Sequence, residues 1–247
     1  MYNLSARAIN MLNKSKRHKV PQDEEVIIKV LKDIGYPLYD SVIRFQKLYA
    51  GMSYKLGKSF EGFSLDMIGS QFNPRTMDYD YYVGAEEIDE EYYFTCATFH
   101  YNESIYMVID SKGKIYGKEY NDNKPYLLAD SIEKFIEKDA VKNYFLEKQP
   151  QWVSASFEDH DLNEWKTNKE YSLIQIDEAC DSCSTYLKDK NDEFFLTIQR
   201  YEDGTENKLV YASSIELIKK LFNDKLKVAI GYPRYEIFKF ENKEGRI

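Results

Sequence analysis

The chain has 247 residues, of which 43% are hydrophobic, and its 42 acidic and 34 basic residues give a formal net charge of −8. A chain of this length buries roughly 70 to 75% of its unfolded surface, so we expect a globular fold that needs no disulfide or metal to hold it together. The sequence has no apolar run of about 18 residues, which excludes a predicted membrane-spanning helix, and its acidic charge disfavours direct binding to nucleic acid.

The start of the chain carries a basic cluster after a short apolar stretch, which is the reverse of the order in a secretory signal. The cluster comprises Lys14, Lys16, Arg17 and Lys19. The chain also has three cysteines, and an odd number fits a reducing compartment better than a disulfide framework. We therefore expect a cytoplasmic protein.

Residues 23–51 predict two amphipathic helices separated by a specific break. The first helix has acidic residues in its first turn, where they suit the helix dipole, and an apolar stripe at helical spacing. That stripe is Val26, Val30, Leu31 and Ile34. Gly35 ends the helix and Pro37 prevents its continuation. A second stripe predicts another helix that ends at Ala50–Gly51, and its members are Leu38, Val42, Phe45 and Tyr49.

The stretch from Asp78 to Glu91 carries seven carboxylates and no Lys or Arg. The carboxylates are Asp78, Asp80, Glu86, Glu87, Asp89, Glu90 and Glu91, and the tyrosines among or beside them are Tyr79, Tyr81, Tyr82, Tyr92 and Tyr93. Tyrosine provides rigid contact area, and a field of one sign steers an oppositely charged partner. We therefore predict a surface for a basic protein, with a solvated acidic loop as the alternative.

Residues 104–136 predict a pair of strands followed by a helix. Ile105 to Ile109 form an apolar strand, a turn follows at residues 110–113, and the returning strand starts at 114–116. We expect Asp130 to cap the helix, with Glu133 as its capping-box partner.

Catalytic and metal motifs are weak. Cys180 and Cys183 have the CxxC spacing of a redox or half-zinc site, and Cys96 with His100 would have to complete a metal set. No second CxxC, GxSxG, HExxH, GxGxxG or GxxxxGK[ST] motif is present. We expect no bound zinc, no cofactor and no catalytic residue. A hydrolase would instead show a deep pocket lined by groups such as Asp78, His100 or Glu119.

The chain beyond Pro150 is predicted to form a smaller second unit. Residues 193–222 repeat the order strand, turn, strand and capped helix, with Ser213 and Glu216 as the expected capping box. Residues 212–216 align with 129–133, so a degenerate repeat and convergence remain equal alternatives. Trp152, Phe157 and Trp165 are candidates for packing the units together, and Lys227 to Phe240 predict two further strands.

Residues 23–51 and 104–135 resemble the SUKH superfamily. Members of that family have two helices separated by a Gly- and Pro-containing break, then an apolar strand, an Asp-x-x-Gly turn and a helix that starts near Ala-Asp-Ser. Here the turn is Asp110-Ser111-Lys112-Gly113 and the helix start is Ala129-Asp130-Ser131. The resemblance implies a bacterial immunity protein that neutralises a polymorphic toxin of nuclease or deaminase type, while eukaryotic relatives act as regulatory interaction proteins.

We accordingly expect an α+β fold in which N-terminal helices pack on a mainly antiparallel twisted sheet, with a SUKH-like domain at 1–148 and a smaller α+β unit at 149–247. The expected function is non-catalytic binding of a basic cognate toxin, with no nucleic acid or membrane partner. A regulatory scaffold and a small hydrolase-type enzyme are the alternatives. The predicted partner-binding residues are Asp78, Asp80, Tyr81, Tyr82, Glu86, Glu87, Glu90, Glu91 and Tyr93.

Overall fold

The computed structural model describes residues 3–57, 62–99, 105–119, 124–148 and 153–222, and these form an α+β fold built largely from antiparallel sheets, as predicted. The described helices are α1 (Ala6–Asn13), α2 (Glu24–Ile34), α3 (Asp40–Leu48), α4 (Ile132–Lys148), α5 (Asp159–Thr167) and α6 (Ile215–Leu221). The first strands are β1 (Lys16–Arg17), β2 (Met52–Lys55), β3 (Gly62–Leu65), β4 (Ile68–Asn73), β5 (Asp78–Val83), β6 (Ala85–Ile88) and β7 (Glu91–Phe99). The remaining strands are β8 (Ile105–Ile109), β9 (Ile115–Glu119), β10 (Tyr126–Ala129), β11 (Val153–Ser156), β12 (Ile174–Gln175), β13 (Ser184–Lys188), β14 (Phe194–Arg200) and β15 (Glu206–Ala212).

The predicted helical pair is confirmed at α2 and α3. The Asp23 carboxylate caps α2 by accepting hydrogen bonds from the backbone N–H groups of Glu25 (2.9 Å) and Val26 (3.3 Å). Gly35 ends the helix in the left-handed conformation, with φ at +92°, which is why a glycine suits this position. Both helices bury an apolar stripe that includes Leu31 and Phe45 in the first core. The predicted stripe members Ile34 and Leu38 are wrong, because they lie at the break between the helices and are 43% and 40% exposed.

The first sheet is antiparallel and has the strand order β1-β2-β3-β7-β8-β9-β10, with β6 also paired to β7. One face carries residues such as Phe94, Met107, Ile109 and Ile115, which join the core formed with α1 to α4. Because side chains alternate along a strand, the intervening residues of β7, β8 and β9 lie on the opposite face. That opposite face is the setting of the site described below.

The segment before α4 differs from the prediction in two details. A third strand, β10, follows the β8–β9 hairpin before the helix begins. The helix cap is Ser131, whose hydroxyl accepts from the backbone N–H of Lys134 (3.2 Å), so the expected Asp130 cap is wrong. Asp130 is diverted by a tertiary contact, because its carboxylate accepts from the hydroxyl (2.6 Å) and backbone N–H (2.8 Å) of Ser182.

Glu133 is also not a capping-box partner. Its carboxylate accepts from the Tyr49 hydroxyl (2.7 Å) and pairs with the Arg44 guanidinium (2.6 Å), which joins α4 to α3. The local pattern had identified the start of the helix, but these long-range donors compete successfully for the carboxylate.

The second sheet has the same strand order as part of the first. Its order is β11-β15-β14-β13-β12, and the succession β13, β14, β15, α6 matches β8, β9, β10, α4 in strand direction and order. The aspartate after the first strand has the same role in each copy. Asp110 accepts from the N–H of Lys112 (2.9 Å), and Asp189 accepts from that of Asn191 (2.8 Å).

The helix cap recurs as well, although one residue later than predicted. Ser214, and not Ser213, caps α6 by accepting from the N–H of Leu217 (3.1 Å). Ser214 therefore corresponds to Ser131 in the first copy, and the expected box with Glu216 is wrong because the cap has moved. The shared turn and shared cap support the repeat interpretation over convergence.

Helix α4 lies between the two sheets. Phe135, Ile136 and Ala140 pack into the first core, whereas Val141 and Phe145 pack against the second sheet, where the Phe145 and Phe195 rings stack at 4.5 Å. Because the helix is buried on both faces, it has no single face that consists only of polar residues. The charged residues that it buries all have partners, among them Asp139 with the Tyr54 hydroxyl (2.7 Å).

Phe157 and Trp165 belong to the second unit's own core with α5 and α6, so their expected role in packing the units together is wrong. Trp165 donates its indole N–H to the backbone carbonyl of Leu221 (2.8 Å), and this bond fixes it inside that core. Trp152, the expected boundary at residues 149–151 and the strands expected at 227–240 lie outside the described residues. No helix in the described part of the chain is long and apolar enough to cross a membrane.

The contact between α4 and the β13–β14 turn predicts an acid-sensitive stability. Partial burial alone would raise the pKa of Asp192, but donors from Lys148, Lys188 and Tyr144 outweigh it and hold that pKa well below the usual value. A lowered folded-state pKa contributes stability above the unfolded pKa of about 3.9 and loses it as the pH falls further.

We expect Asp192→Asn to lower the free energy of unfolding by about 2 kcal/mol at pH 7, and this deficit to shrink steadily below about pH 4. Urea denaturation of both proteins from pH 7 to pH 3 would measure it. A deficit that stays constant across this range would contradict the assignment.

Candidate binding face

The structure divides the predicted Asp78–Tyr93 segment among three elements. Residues 78–83 form β5, residues 85–88 form β6, and residues 91–93 begin β7. The predicted residues therefore do not form one loop. They lie on a separate two-stranded ribbon and on the adjoining part of the first sheet.

The ribbon, which we call the arm, consists of β4 and β5 paired antiparallel from Ile68–Val83 to Asn73–Asp78. It is inserted between β3 and β6, and its six-residue strands extend about 20 Å. Ile68 is fully buried at the base of the arm, whereas Met77 near its tip is 76% exposed. The arm is thus buried at its base and exposed near its tip.

The arm presents tyrosines to solvent. Tyr82 is 62% exposed and Tyr81 is 40% exposed. The Tyr82 ring lies directly over Gly69. An added Cβ at this position would meet the ring at 2.0 Å, so the absence of a side chain at Gly69 makes room for the ring. The Asp80 carboxylate accepts from the Asn73 side-chain amide (2.7 Å) across the ribbon. These contacts order the arm without burying its aromatic surface.

The outer face of the first sheet carries three more tyrosines, which we call the tyrosine face: Tyr93 on β7, Tyr106 on β8 and Tyr116 on β9. The rings of Tyr93 and Tyr116 meet edge to face with centroids 5.5 Å apart. The Tyr106 hydroxyl donates to Glu86 (3.2 Å), and Glu86 also pairs with the largely buried Lys118 (2.5 Å). The face is therefore rigid and largely pre-organised.

The phenols of this face stay protonated at neutral pH. Partial burial raises the pKa of Tyr116, and the neighbouring Asp110 carboxylate, which accepts from its hydroxyl (3.2 Å), raises it further. Burial and Glu91 raise the pKa of Tyr93 in the same way. Each hydroxyl is consequently a hydrogen-bond donor and not a source of negative charge.

The predicted glutamates divide into two groups. Glu86 and Glu91 bind within the protein, since Glu91 accepts from the Ser111 hydroxyl at 2.6 Å. Glu87 and Glu90 are exposed at or beside the β6–β7 turn, together with Asp89, and Glu87 also accepts a hydrogen bond from the Tyr92 hydroxyl. Steering charge is therefore concentrated at this turn, while Glu86 and Glu91 shape the face.

Sequence reasoning missed Met77, Tyr106, Tyr116 and Lys118 as part of this region. Three of them could have been found from the alternation of side chains along β8 and β9. Met107 and Ile115 face the core, so Tyr106, Tyr116 and Lys118 lie on the opposite face of the sheet. Only the pairing of β7 with β8 brings them beside Tyr93.

Features relevant to an enzyme are sparse in the described ranges. These contain no group of three or more His, Cys, Asp or Glu side chains placed to hold a metal ion. One open depression lies at the ends of β9 and β14, and its lining residues are Glu119, Lys124, Pro125, Tyr126, Tyr201, Glu202 and Asp203. His100 and the side chain of Asp78, also named as pocket candidates, lie outside the described set.

The three cysteines are free thiols. Burial raises the pKa of both Cys180 and Cys183, so neither is poised as a thiolate. The sulfur of Cys180 accepts from the N–H of Tyr186 (3.2 Å), and that of Cys183 donates to Asp181 (3.3 Å), bonds that a serine hydroxyl replaces.

We expect Cys180→Ser and Cys183→Ser each to cost less than about 1 kcal/mol of unfolding free energy, and the purified protein to carry no stoichiometric zinc. Denaturation curves and elemental analysis would check both statements. One zinc per chain would contradict them.

Comparison of the chain with protein-family models, with curated proteins and with solved structures found no match.

Proposed function

We propose that this chain is a non-catalytic immunity protein that binds a basic cognate toxin of nuclease or deaminase type in the bacterial cytoplasm and covers its active site. The observation that carries the proposal is the arm, because it combines exposed Tyr81, Tyr82 and Met77 with a rigid base. Isolated exposed apolar residues are common, but three of the seven exposed large hydrophobic side chains of the described chain lie on this one ribbon.

Charge supports the same interpretation. The net charge of −8 and the exposed carboxylates at the β6–β7 turn would attract a basic protein and accelerate encounter. Aromatic anchors would then slow dissociation, since interface energy concentrates in a few large, well-packed side chains. The resemblance of residues 23–51 and 104–135 to the SUKH superfamily supplies the toxin as the partner class.

The direct test uses the gene that neighbours the one for this chain, which we expect to encode a large secreted toxin. Expression of its toxic domain should arrest bacterial growth, and co-expression of this protein should restore it. The purified proteins should form a complex that eliminates the toxin's activity. Failure to associate would refute the proposal.

Steering is tested separately by the double variant Glu87→Gln/Glu90→Gln. We expect the association rate to fall about three- to tenfold at low salt and its salt dependence to flatten, with little change in the dissociation rate. Stopped-flow kinetics across a salt series would measure both rates.

The matched control is Glu25→Gln/Asp33→Asn, which removes the same charge from exposed positions of α2. An equal loss of association rate in both double variants would show that net charge alone matters and that the β6–β7 turn is not the steering site.

A further inference from the structure

The open depression beside the tyrosine face joins the two repeated units. Tyr126 begins β10 of the first sheet, and Tyr201 follows β14 of the second. Their rings meet edge to face with centroids 6.1 Å apart, and the ring of Tyr126 also lies against Gly117, where an added Cβ would meet it at 2.5 Å. Two rings fixed from separate sheets therefore form the aromatic part of the lining.

The charge of the lining favours a cation. Among the lining residues that the structure describes, the charged groups are three carboxylates, from Glu119, Glu202 and Asp203, and one ammonium, from Lys124. Asp203 is already engaged, because its carboxylate accepts from the N–H (2.8 Å) and hydroxyl (2.6 Å) of Thr205. Glu119 and Glu202 are exposed, and their carboxylates form no hydrogen bond or ion pair with a residue that the structure describes.

The depression also borders the binding face. Tyr126, which lines the depression, pairs with Gly117 of β9, and the next residue of β10, Leu127, pairs with Tyr116. A protein seated on the tyrosine face would consequently place side chains within reach of the depression.

We propose that this depression receives an arginine side chain of the protein partner. A planar guanidinium stacks on tyrosine rings and binds carboxylates through two parallel N–H groups, and a lysine ammonium does neither as well. The Tyr126–Tyr201 pair supplies the ring surface, and Glu119 with Glu202 supplies the acceptors. The assignment of this residue to a partner rests on the proposed function, but the preference of the depression for guanidinium does not.

The test uses the full chain and a small probe, N-acetyl-arginine amide, followed by backbone amide shifts in NMR. We expect saturable shifts, in the millimolar range, concentrated at the amides of Glu119 and residues 201–204. N-acetyl-lysine amide should bind more weakly, and the neutral N-acetyl-glutamine amide should give no saturable shift.

Two variants and one control locate the site. Tyr201→Ala and Glu202→Gln should each weaken binding of the arginine probe about threefold or more, whereas Glu25→Gln, the same charge change on α2, should leave it unaltered. Glu202 is exposed, so its variant stays informative if Tyr201→Ala does not fold.

Shifts spread over the whole acidic surface, equal shifts with the glutamine probe, or unchanged affinity in folded Glu202→Gln would overturn the inference. Because no toxin enters this experiment, its failure leaves the proposed function standing. Conversely, a protein that binds the arginine probe but no toxin would retain the site and lose the proposed function.

Discussion

Lys138→Met is expected to lower the free energy of unfolding by about 3 to 5 kcal/mol, because it leaves a buried carboxylate without its counter-charge. The side chains of Lys138 and Asp181 are 6% and 1% exposed, and they pair at 2.8 Å between α4 and the loop before β13. Lys138 also donates to the backbone carbonyl of Leu128 (2.5 Å) at β10. One ammonium thus connects the helix to β10 of the first sheet and to the loop that leads into the second.

The remaining bonds of Asp181 explain the size of the effect. It accepts from the N–H of Asp130 (3.1 Å) and from the hydroxyl of Ser184 (2.8 Å), so it cannot turn toward solvent when Lys138 is lost. Burial raises its pKa, but Lys138 outweighs burial and holds the pKa below the usual value. The carboxylate is therefore charged in the folded protein at neutral pH.

Two comparisons make this prediction specific. The double variant Lys138→Met/Asp181→Asn should recover part of the loss, because no unpaired charge remains. Lys14→Met makes the same chemical change in an exposed pair with Glu147 on α4, and should cost less than about 1 kcal/mol. Urea denaturation would measure all three, and a Lys138→Met protein within about 1 kcal/mol of the parent would contradict the role of this pair.

The helices were the most predictable part of this fold, because their signals are local. The acidic start of α2, its apolar positions Val30 and Leu31 and the Gly35 stop all act within a few residues of one another, and the structure contains each of them, although Ile27 and not the predicted Ile34 completes the buried stripe. The caps of α4 and α6 were misplaced by one residue for the opposite reason. Asp130 does not cap α4 because its carboxylate accepts a hydrogen bond from Ser182. These two residues are 52 positions apart in sequence, so no local pattern encodes their contact.

The charged residues of α4 made it impossible to predict from the sequence that both faces of this helix are buried. Glu137, Lys138 and Asp139 follow one another and suggest a solvated turn, yet all three are buried with partners from α1, the loop before β13 and β2. Such partners exist only after both sheets have formed. Charge patterning alone therefore predicts the wrong environment for this part of the helix.

The binding face was half predictable. The acidic and tyrosine-rich composition marked the segment that forms part of the arm and of the first sheet, but tyrosine is apolar at one end and polar at the other, so alternation within β5 gives no contrast to define a strand. The tyrosine face also depends on sheet register, which places Tyr93 beside Tyr116. Composition identified the residues, and only tertiary pairing separated those that project from those that bind internally.

The arm gives the prediction with the largest expected effect on binding. If the proposed function holds, Tyr81→Ala is expected to weaken the complex with the toxin about 30-fold or more, which corresponds to roughly 2 kcal/mol for an aromatic anchor at the centre of an interface. The loss should lie in the dissociation rate, since a neutral side chain contributes little to long-range encounter. Tyr82→Ala should act in the same direction, with an added effect from uncovering Gly69 and loosening the ribbon.

The two tyrosines are therefore measured together with a control residue that is large, hydrophobic and comparably exposed. Ile174→Ala, at 47% exposure on the edge strand of the second sheet, removes apolar surface away from the arm and should leave binding unchanged. Surface plasmon resonance with the toxin, alongside protection of toxin-expressing cells, would give rates and function for each variant, after thermal melting has shown it to be folded. Dissociation rates that match the parent in folded Tyr81→Ala and Tyr82→Ala, with faster dissociation in Ile174→Ala, would move the interface to the second unit and leave the arm as a solvated ribbon.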